Sequence, residues 1–356
     1  MGSCNKRPPS HQSGFTLVEI MVGLAIGMLA TLVIMQVMSV FETQKRVTTG
    51  TADAQTNGGI ALYNIGRELQ LAGFPLLPAT DSPLECTTLT FGATGIGSIS
   101  PVTITDGAAA SGVSASDTIT IRYGNSSMGG VPTRITAMGA PTANDATVDN
   151  NLGCQVNDIA IITNGTTCAM TSVTALSAAG VTPATVTLQN TTTAIAGAGL
   201  ACLGTWNEIA YRVNNGNLER NGVPTITGIV NLQAQYGIAA AGLVNTDPLF
   251  NKVTQWVDAS GGTWAAPSVA DRNRIKAIRL AVVARNPKME ATNVTAACSS
   301  TTAASPTGLC AWEGSVSSPA PTIDLSAGDP NWLRYRYRVF ETIIPLRNVI
   351  WSKDTL

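Results

Sequence analysis

The stretch Phe15–Phe41, FTLVEIMVGLAIGMLATLVIMQVMSVF, constrains this chain more than any other feature. It carries one charge, Glu19, and two weakly polar interruptions near its end, Gln36 and Ser39. As a helix it would span about 40 Å at about 1.5 Å per residue, more than the hydrocarbon core of a bilayer. The block is longer than a signal-peptide core of about 7–15 residues and lacks an A-x-A-like exit. A plain membrane anchor fits the length but leaves Glu19 unexplained, because an acidic group in lipid costs a few kcal/mol.

A partner for Glu19 exists if the chain is cut just before Phe15. The new α-amine would lie four residues before Glu19, or would meet the Glu19 of a neighbouring helix, and either pairing offsets the cost. Residues 1–14 favour such a cut. They are polar and basic, with Lys6, Arg7, Pro8 and Pro9, and they end in Ser13-Gly14. Other processing readings fail: a myristoylation pattern needs Ser or Thr where Lys6 stands, and Cys4 has no apolar leader ahead of it.

Composition narrows the chemistry. Only 12% of the 356 residues are charged, and 21 Lys plus Arg face 22 Asp plus Glu, so the basic stripe of a nucleic-acid binder is missing. The single histidine, His11, leaves no material for a His-based metal site or a Ser-His-Asp triad. No G-x-S-x-G, H-E-x-x-H, P-loop or G-x-G-x-x-G occurs. The expectation is a chain that is not an enzyme, with no catalytic residue, no cofactor and no small-molecule substrate. Asp324 and Asp329 match no EF-hand spacing, so no metal is expected either. Trp312, Trp332, Trp351 and the run Arg334–Arg338 invite a ligand-binding reading. The simpler one is a strand with one aromatic and one charged face.

After Phe41 the helical pattern continues. Val47, Ala54, Ala61, Ile65 and Leu69 form an amphipathic stripe, Gly58-Gly59 weakens it locally, and Gly73 followed by Phe74-Pro75 stops it. The spacing predicts one helix over about 15–73. Beyond Pro75 the pattern is β and loop. Candidate strands are 117–123, 158–163, 184–189, 207–213, 229–237, 276–285 and 335–345, with a hairpin turn at Asn214-Asn215-Gly216-Asn217. No strand–helix alternation appears, so the class is α+β: a long N-terminal helix packed on an antiparallel sheet domain with long loops. The middle, about 80–205, and residues 291–309 are rich in Ala, Gly, Ser and Thr. They read as exposed polar loops or variable insertions.

Gly14-Phe15-Thr16-Leu17-Val18-Glu19 and the apolar block behind it resemble the class III leader of type IV pilins and type II secretion pseudopilins. Three later blocks, Val230–Gly237, Ile275–Arg285 and Arg338–Asn348, with the helical tract Gly66–Phe74, resemble the PilW-like minor pilins in the same order. The resemblance covers about the first 75 residues and the last 130, with gaps. It implies a pilin-like fold, a leader at 1–14, a helix at 15–73 that is membrane- or filament-embedded over 15–41, and a periplasmic domain at 74–356. It implies cleavage after Gly14 by a prepilin peptidase, N-methylation of Phe15, and subunit pairing through Glu19. The implied partners are other minor and major pilins and the inner membrane, in which the chain would be single-pass before it reaches the pilus. The implied role is to prime or cap pilus assembly. A J-type pseudopilin of a type II secretion system and a pilus-tip adhesin are the alternatives.

Removing the leader takes away Cys4 and leaves Cys86, Cys154, Cys168, Cys202, Cys298 and Cys310. An even number outside the cytoplasm suggests up to three disulfides. Cys154–Cys168 and Cys298–Cys310 close the shortest loops, and Cys86–Cys202 follows by elimination.

Overall fold

The computed structural model describes residues 14–76, 86–92, 96–108, 115–139, 144–178, 180–190, 196–244 and 247–350. The expected leader up to Ser13, and Trp351, lie outside these residues. Two compact units are present, Met1–Gly50 and Thr51–Leu356.

Helix α1 runs from Leu17 to Leu71, without interruption at Gly58-Gly59. In the first unit every large apolar side chain from Phe15 to Phe41 is exposed, on all sides of the helix. A helix apolar all round has no solvated face and is built for an apolar surrounding. It is the one described helix long and apolar enough to cross a membrane.

In the second unit the helix is amphipathic, as its stripe predicts. Ala54, Ala61, Ile65, Leu69 and Ala72 are buried while Ile60 and Tyr63 stay exposed. The helix ends because Gly73 takes φ +80°, a left-handed conformation that glycine adopts without strain. Its last carbonyls are satisfied from far along the chain. The Asn348 side-chain amide donates to the carbonyls of Gln70, Leu71 and Ala72 at 3.4, 3.3 and 3.1 Å.

The strands of this unit are β1 (Thr88–Phe91), β2 (Val102–Thr105), β3 (Thr118–Tyr123), β4 (Thr133–Met138), β5 (Asp145–Val148), β6 (Ile159–Asn164), β7 (Thr167–Leu176) and β8 (Ala184–Leu188). They continue as β9 (Gly199–Gly204), β10 (Asn207–Asn214), β11 (Asn217–Arg220), β12 (Val223–Thr227), β13 (Ile229–Ile238), β14 (Gln255–Asp258), β15 (Ile275–Arg285) and β16 (Tyr337–Pro345). One sheet has the order β12-β11-β10-β3-β2 and another β14-β13-β15-β16. Period-two alternation buries Ile119 and Ile121 of β3, and Ile278, Leu280 and Val282 of β15, in one core with the helix stripe. The β10–β11 hairpin turns at Asn215 (φ 48°) and Gly216 (φ 72°), the two left-handed residues such a turn demands.

Of the two readings of the middle region, exposed loops or an insertion, the structure shows a folded insertion, and the strands expected at 158–163 and 184–189 are β6 and β8. The order β7-β6-β9-β4-β5-β8, with β8 pairing back onto β7, closes a six-stranded antiparallel barrel. Its interior is filled by Ile135, Val148, Ala160, Ile162, Val186, Leu188 and Leu200. β1 adds to the outside of β7 by the one parallel pairing among the described strands. The barrel is an insertion, because the flanking strands β3 and β10 pair directly, Tyr123 opposite Asn207. Its wall is apolar on both sides: Ala160 and Ile162 face the interior, while Ile161 faces the helix-bearing core. β2, inside the stretch expected as loop, buries Val102 and Ile104 in that core.

The C-terminal sheet is likewise covered twice. One face meets the helix. The other, at Ala281 and Val283, lies under the long segment between β15 and β16 through Leu309, Ala311, Trp312, Ile323, Leu325 and Trp332. That segment is irregular, as expected, but it is a cover with its own small core rather than a free loop.

Candidate functional site

The head of α1 is built by four residues. Gly14 and Phe15 precede the helix, and Phe15 is 85% exposed. Thr16 and Glu19 form a reciprocal cap. The Glu19 N–H donates to Thr16 Oγ1 at 3.3 Å, and the Thr16 N–H and hydroxyl donate to Glu19 Oε2 at 3.0 and 3.1 Å. Two helix N–H groups that would otherwise have no partner are satisfied this way, and the carboxylate sits at the positive end of the helix dipole. The signal Thr-x-x-Glu before an apolar run stands in the sequence at 16–19 but is overlooked when Glu19 is read only as an intramembrane charge. Glu19 Oε1 takes no hydrogen bond among the described residues.

The other end of α1 is fixed by a buried charge. Glu68 is on the core face, 5% exposed. Its Oε2 accepts from the Tyr123 hydroxyl at 2.5 Å, and its Oε1 pairs with Arg220 Nη2 at 3.1 Å. Burial, together with the neighbouring Glu68, pushes the Tyr123 hydroxyl up to about 12. One helix side chain thereby joins β3 and β11. Beside it Arg122 reaches Ser100 O at 3.2 Å, Thr103 Oγ1 at 2.7 Å and Glu208 Oε1 at 2.9 Å. The helical spacing Ile65-Glu68-Leu69-Ala72 marks Glu68 as a charge on an apolar stripe. Its partners, more than 50 residues away, have no local signal.

The six cysteines pair as Cys86–Cys168, Cys154–Cys202 and Cys298–Cys310, with Cα–Cα distances of 5.8, 5.2 and 4.8 Å. This corrects the expected Cys154–Cys168 and Cys86–Cys202 bridges. Strand alternation is the reason: Cys168 points out of the barrel wall into the helix-bearing core with Cys86, whereas Cys154 and Cys202 belong to the barrel interior. Loop length ranked the pairs, but which side of the wall each thiol occupies decides them.

The aromatic and acidic candidates have structural partners. Trp312 and Trp332 are buried under the covering segment, and Arg279 stacks over Trp312 at 4.5 Å. Only Tyr337 and Arg338 of the Arg/Tyr run lie in a strand, which corrects the reading of 334–338 as one strand. Arg334 donates to Glu290 O at 2.8 Å and Arg336 pairs with the Glu290 carboxylate at 3.0 Å, so the run ties the cover down. Asp324 accepts from the Ser326 N–H at 2.8 Å, and Asp329 pairs with Arg285 at 3.1 Å. A cleft of about 240 Å³ opens beside this pair, lined also by Asn214, Asn215, Leu325 and Tyr337. Among the described residues no group of three or more His, Cys, Asp or Glu comes together.

Residues 206–348 match the family described as type IV pilus-assembly protein W, and residues 9–35 match the prokaryotic N-terminal methylation motif. No curated protein matches the chain, and no solved structure does. The chain is PilW-like over its last strands and prepilin-like at its N-terminus. The first match runs from the residue before β10 to Asn348, the residue that caps the helix.

Proposed function

We propose that this PilW-like chain is a minor pilin that primes or caps a type IV pilus. A prepilin peptidase cuts between Gly14 and Phe15, and the new Phe15 amine is methylated. The precursor crosses the inner membrane once, with the β-rich body in the periplasm. The helix head carries the reading. Glu19 sits one turn into a helix whose apolar surface is exposed all round, and its carboxylate engages its own Thr16 through Oε2 alone. A carboxylate accepts at both oxygens. Oε1 is therefore open to the amine of a neighbouring pilin, an ion pair that offsets the expense of burying both groups among apolar helices.

Deletion of the gene tests the role. The expected result is loss of surface pili with exoprotein secretion intact, restored by the wild-type chain and not by Glu19→Val. Loss of exoprotein secretion with normal pili would instead identify a J-type pseudopilin.

A further inference from the structure

The four-stranded sheet ends differently on its two sides. At β14 the chain covers its own edge: the Trp256 N–H donates to Ser318 Oγ at 3.0 Å and the Gln255 amide to Ser317 O at 2.7 Å. At β16 nothing comparable occurs among the described residues. The register runs from Ala277 opposite Pro345 to Arg285 opposite Tyr337. The bonds that bracket it, Leu346 N–H to Lys276 O and Asn286 N–H to Arg336 O, both at 2.9 Å, set its phase. In an antiparallel pair the hydrogen-bonded positions alternate. Arg338, Phe340, Thr342 and Ile344 therefore bond to β15, and Tyr337, Val339, Glu341 and Ile343 aim their N–H and C=O groups outward, with the Pro345 carbonyl. None of these outward groups has a described backbone or side-chain partner.

We infer that this edge is a strand-addition site, at which an extended segment of a different pilin subunit forms a fifth strand. The inference deepens the proposed function by naming a mode of partner contact, and it rests on that reading. A row of parallel-spaced donors and acceptors defines its occupant as extended backbone, the mode in which main-chain bonds supply affinity. The flanking side chains favour apolar residues at alternate positions. Phe340 and Ile344 lie on the helix side, and Val339 and Ile343, the latter 52% exposed, on the other. A second copy of this chain fits badly. Antiparallel self-pairing centred on the edge sets Glu341 against Glu341, and sets Tyr337 against Pro345, which lacks an N–H. The Glu341 carboxylate, 3.5 Å from Arg279 and half exposed, instead favours a partner with no acidic residue opposite it.

The phase of the ladder makes the test specific. Ile343→Pro removes an outward N–H and leaves the β15 bonds in place, which edge strands tolerate; Ile343→Thr keeps the N–H and removes apolar contact. The full chain in detergent is mixed, one at a time, with each of the other pilins purified from the same cells. The expected result is binding to one of them that Ile343→Pro weakens at least tenfold and Ile343→Thr less than threefold. In wild type, the Val339, Glu341 and Ile343 amides should exchange hydrogen freely alone and slow at least tenfold in the complex. Equal binding by a folded Ile343→Pro, or free exchange of these amides with every pilin, overturns the inference. The exchange measurement on wild type decides the matter even if the proline variant misfolds. Intact mass on the same preparation separates the two readings. A chain beginning at Phe15 with an unprotected edge sinks only the strand addition, and a chain retaining residues 1–14 sinks the pilin reading.

Discussion

Gly58 of α1 lies against the ring of Phe340 in β16, so closely that a Cβ at position 58 would overlap the ring. Its neighbour Gly59 has nothing within 4 Å of the same built atom. The two glycines look equivalent in sequence, as a weak point in a helix, but physically they are opposites. Gly58 is the contact that lets helix and sheet approach.

Alanine at each position separates them. Gly→Ala in a helix interior ordinarily stabilises by about 1 kcal/mol. Gly59→Ala should deliver that gain. At Gly58 the overlap introduces an overpacking penalty of about 1–3 kcal/mol, which outweighs the gain. Thermal melts of the full chain in detergent should rank Gly59→Ala above wild type and wild type above Gly58→Ala, and Phe340→Leu should restore Gly58→Ala toward wild type. Equal melting of the two alanine variants would contradict this packing.

The Glu68–Arg220 pair predicts an asymmetry. The Glu68 side chain is 7% exposed and that of Arg220 40%. Removing Arg220 leaves a buried carboxylate with only the Tyr123 hydroxyl, whereas removing the Glu68 charge leaves an arginine that water can reach. Breaking a buried pair so that a charge is stranded costs about 3–5 kcal/mol, and the half-exposed arginine reduces that for the other variant. Arg220→Met should therefore lower stability more than Glu68→Gln, by at least about 1 kcal/mol in urea unfolding. The reverse order would show that the arginine is the buried partner.

Asp117 predicts a pH dependence. Its carboxylate accepts from the Ala234 N–H at 2.7 Å and the Gly107 N–H at 3.2 Å, tying the residue before β3 to β13 and to the segment after β2. Burial, with Asp106 and Asp258 as nearby like charges, pushes it up to about 7. A carboxyl raised in the folded state keeps its proton where the unfolded chain has lost it. Stability at this site is full below about pH 4 and falls as pH rises toward 7, by up to about 4 kcal/mol. Asp117→Asn cannot titrate, so its unfolding free energy should drop less than that of wild type between pH 4.5 and 7.5. Identical slopes would assign the pH dependence elsewhere.

What the sequence discloses follows the range of the forces involved. The alternation at Ile119 and Ile121, the Asn215-Gly216 turn and the stripe from Ala54 to Leu69 are local patterns, and each produces the element it suggests. The barrel is obscured because its strands are short, rich in Ala and Thr, and in part apolar on both sides. Ala160-Ile161-Ile162 has no alternation to read, since two cores compete for it. Cys298–Cys310 pairs as its short loop suggests, but the other two expected bridges fail for the same reason: loop length is local, and the side of a barrel wall is not. Glu68 and Asn348 are visible as residues but meaningless until Tyr123, Arg220 and Ala72 are beside them. At the candidate site all four residues, Gly14, Phe15, Thr16 and Glu19, fall within six consecutive positions. The Thr16–Glu19 cap formed there is a local pattern that the sequence carries, though it is missed when Glu19 is read only as a charge.

Under the proposed function the working molecule is a processed pilin that begins at Phe15. Intact mass and N-terminal sequencing of the chain recovered from its own membranes test it most directly. The expected protein starts at Phe15, carries one added methyl on that amine, and remains uncut in a Gly14→Val variant. A mature protein that retains residues before Phe15, or begins at Phe15 with an unmodified amine, would contradict it.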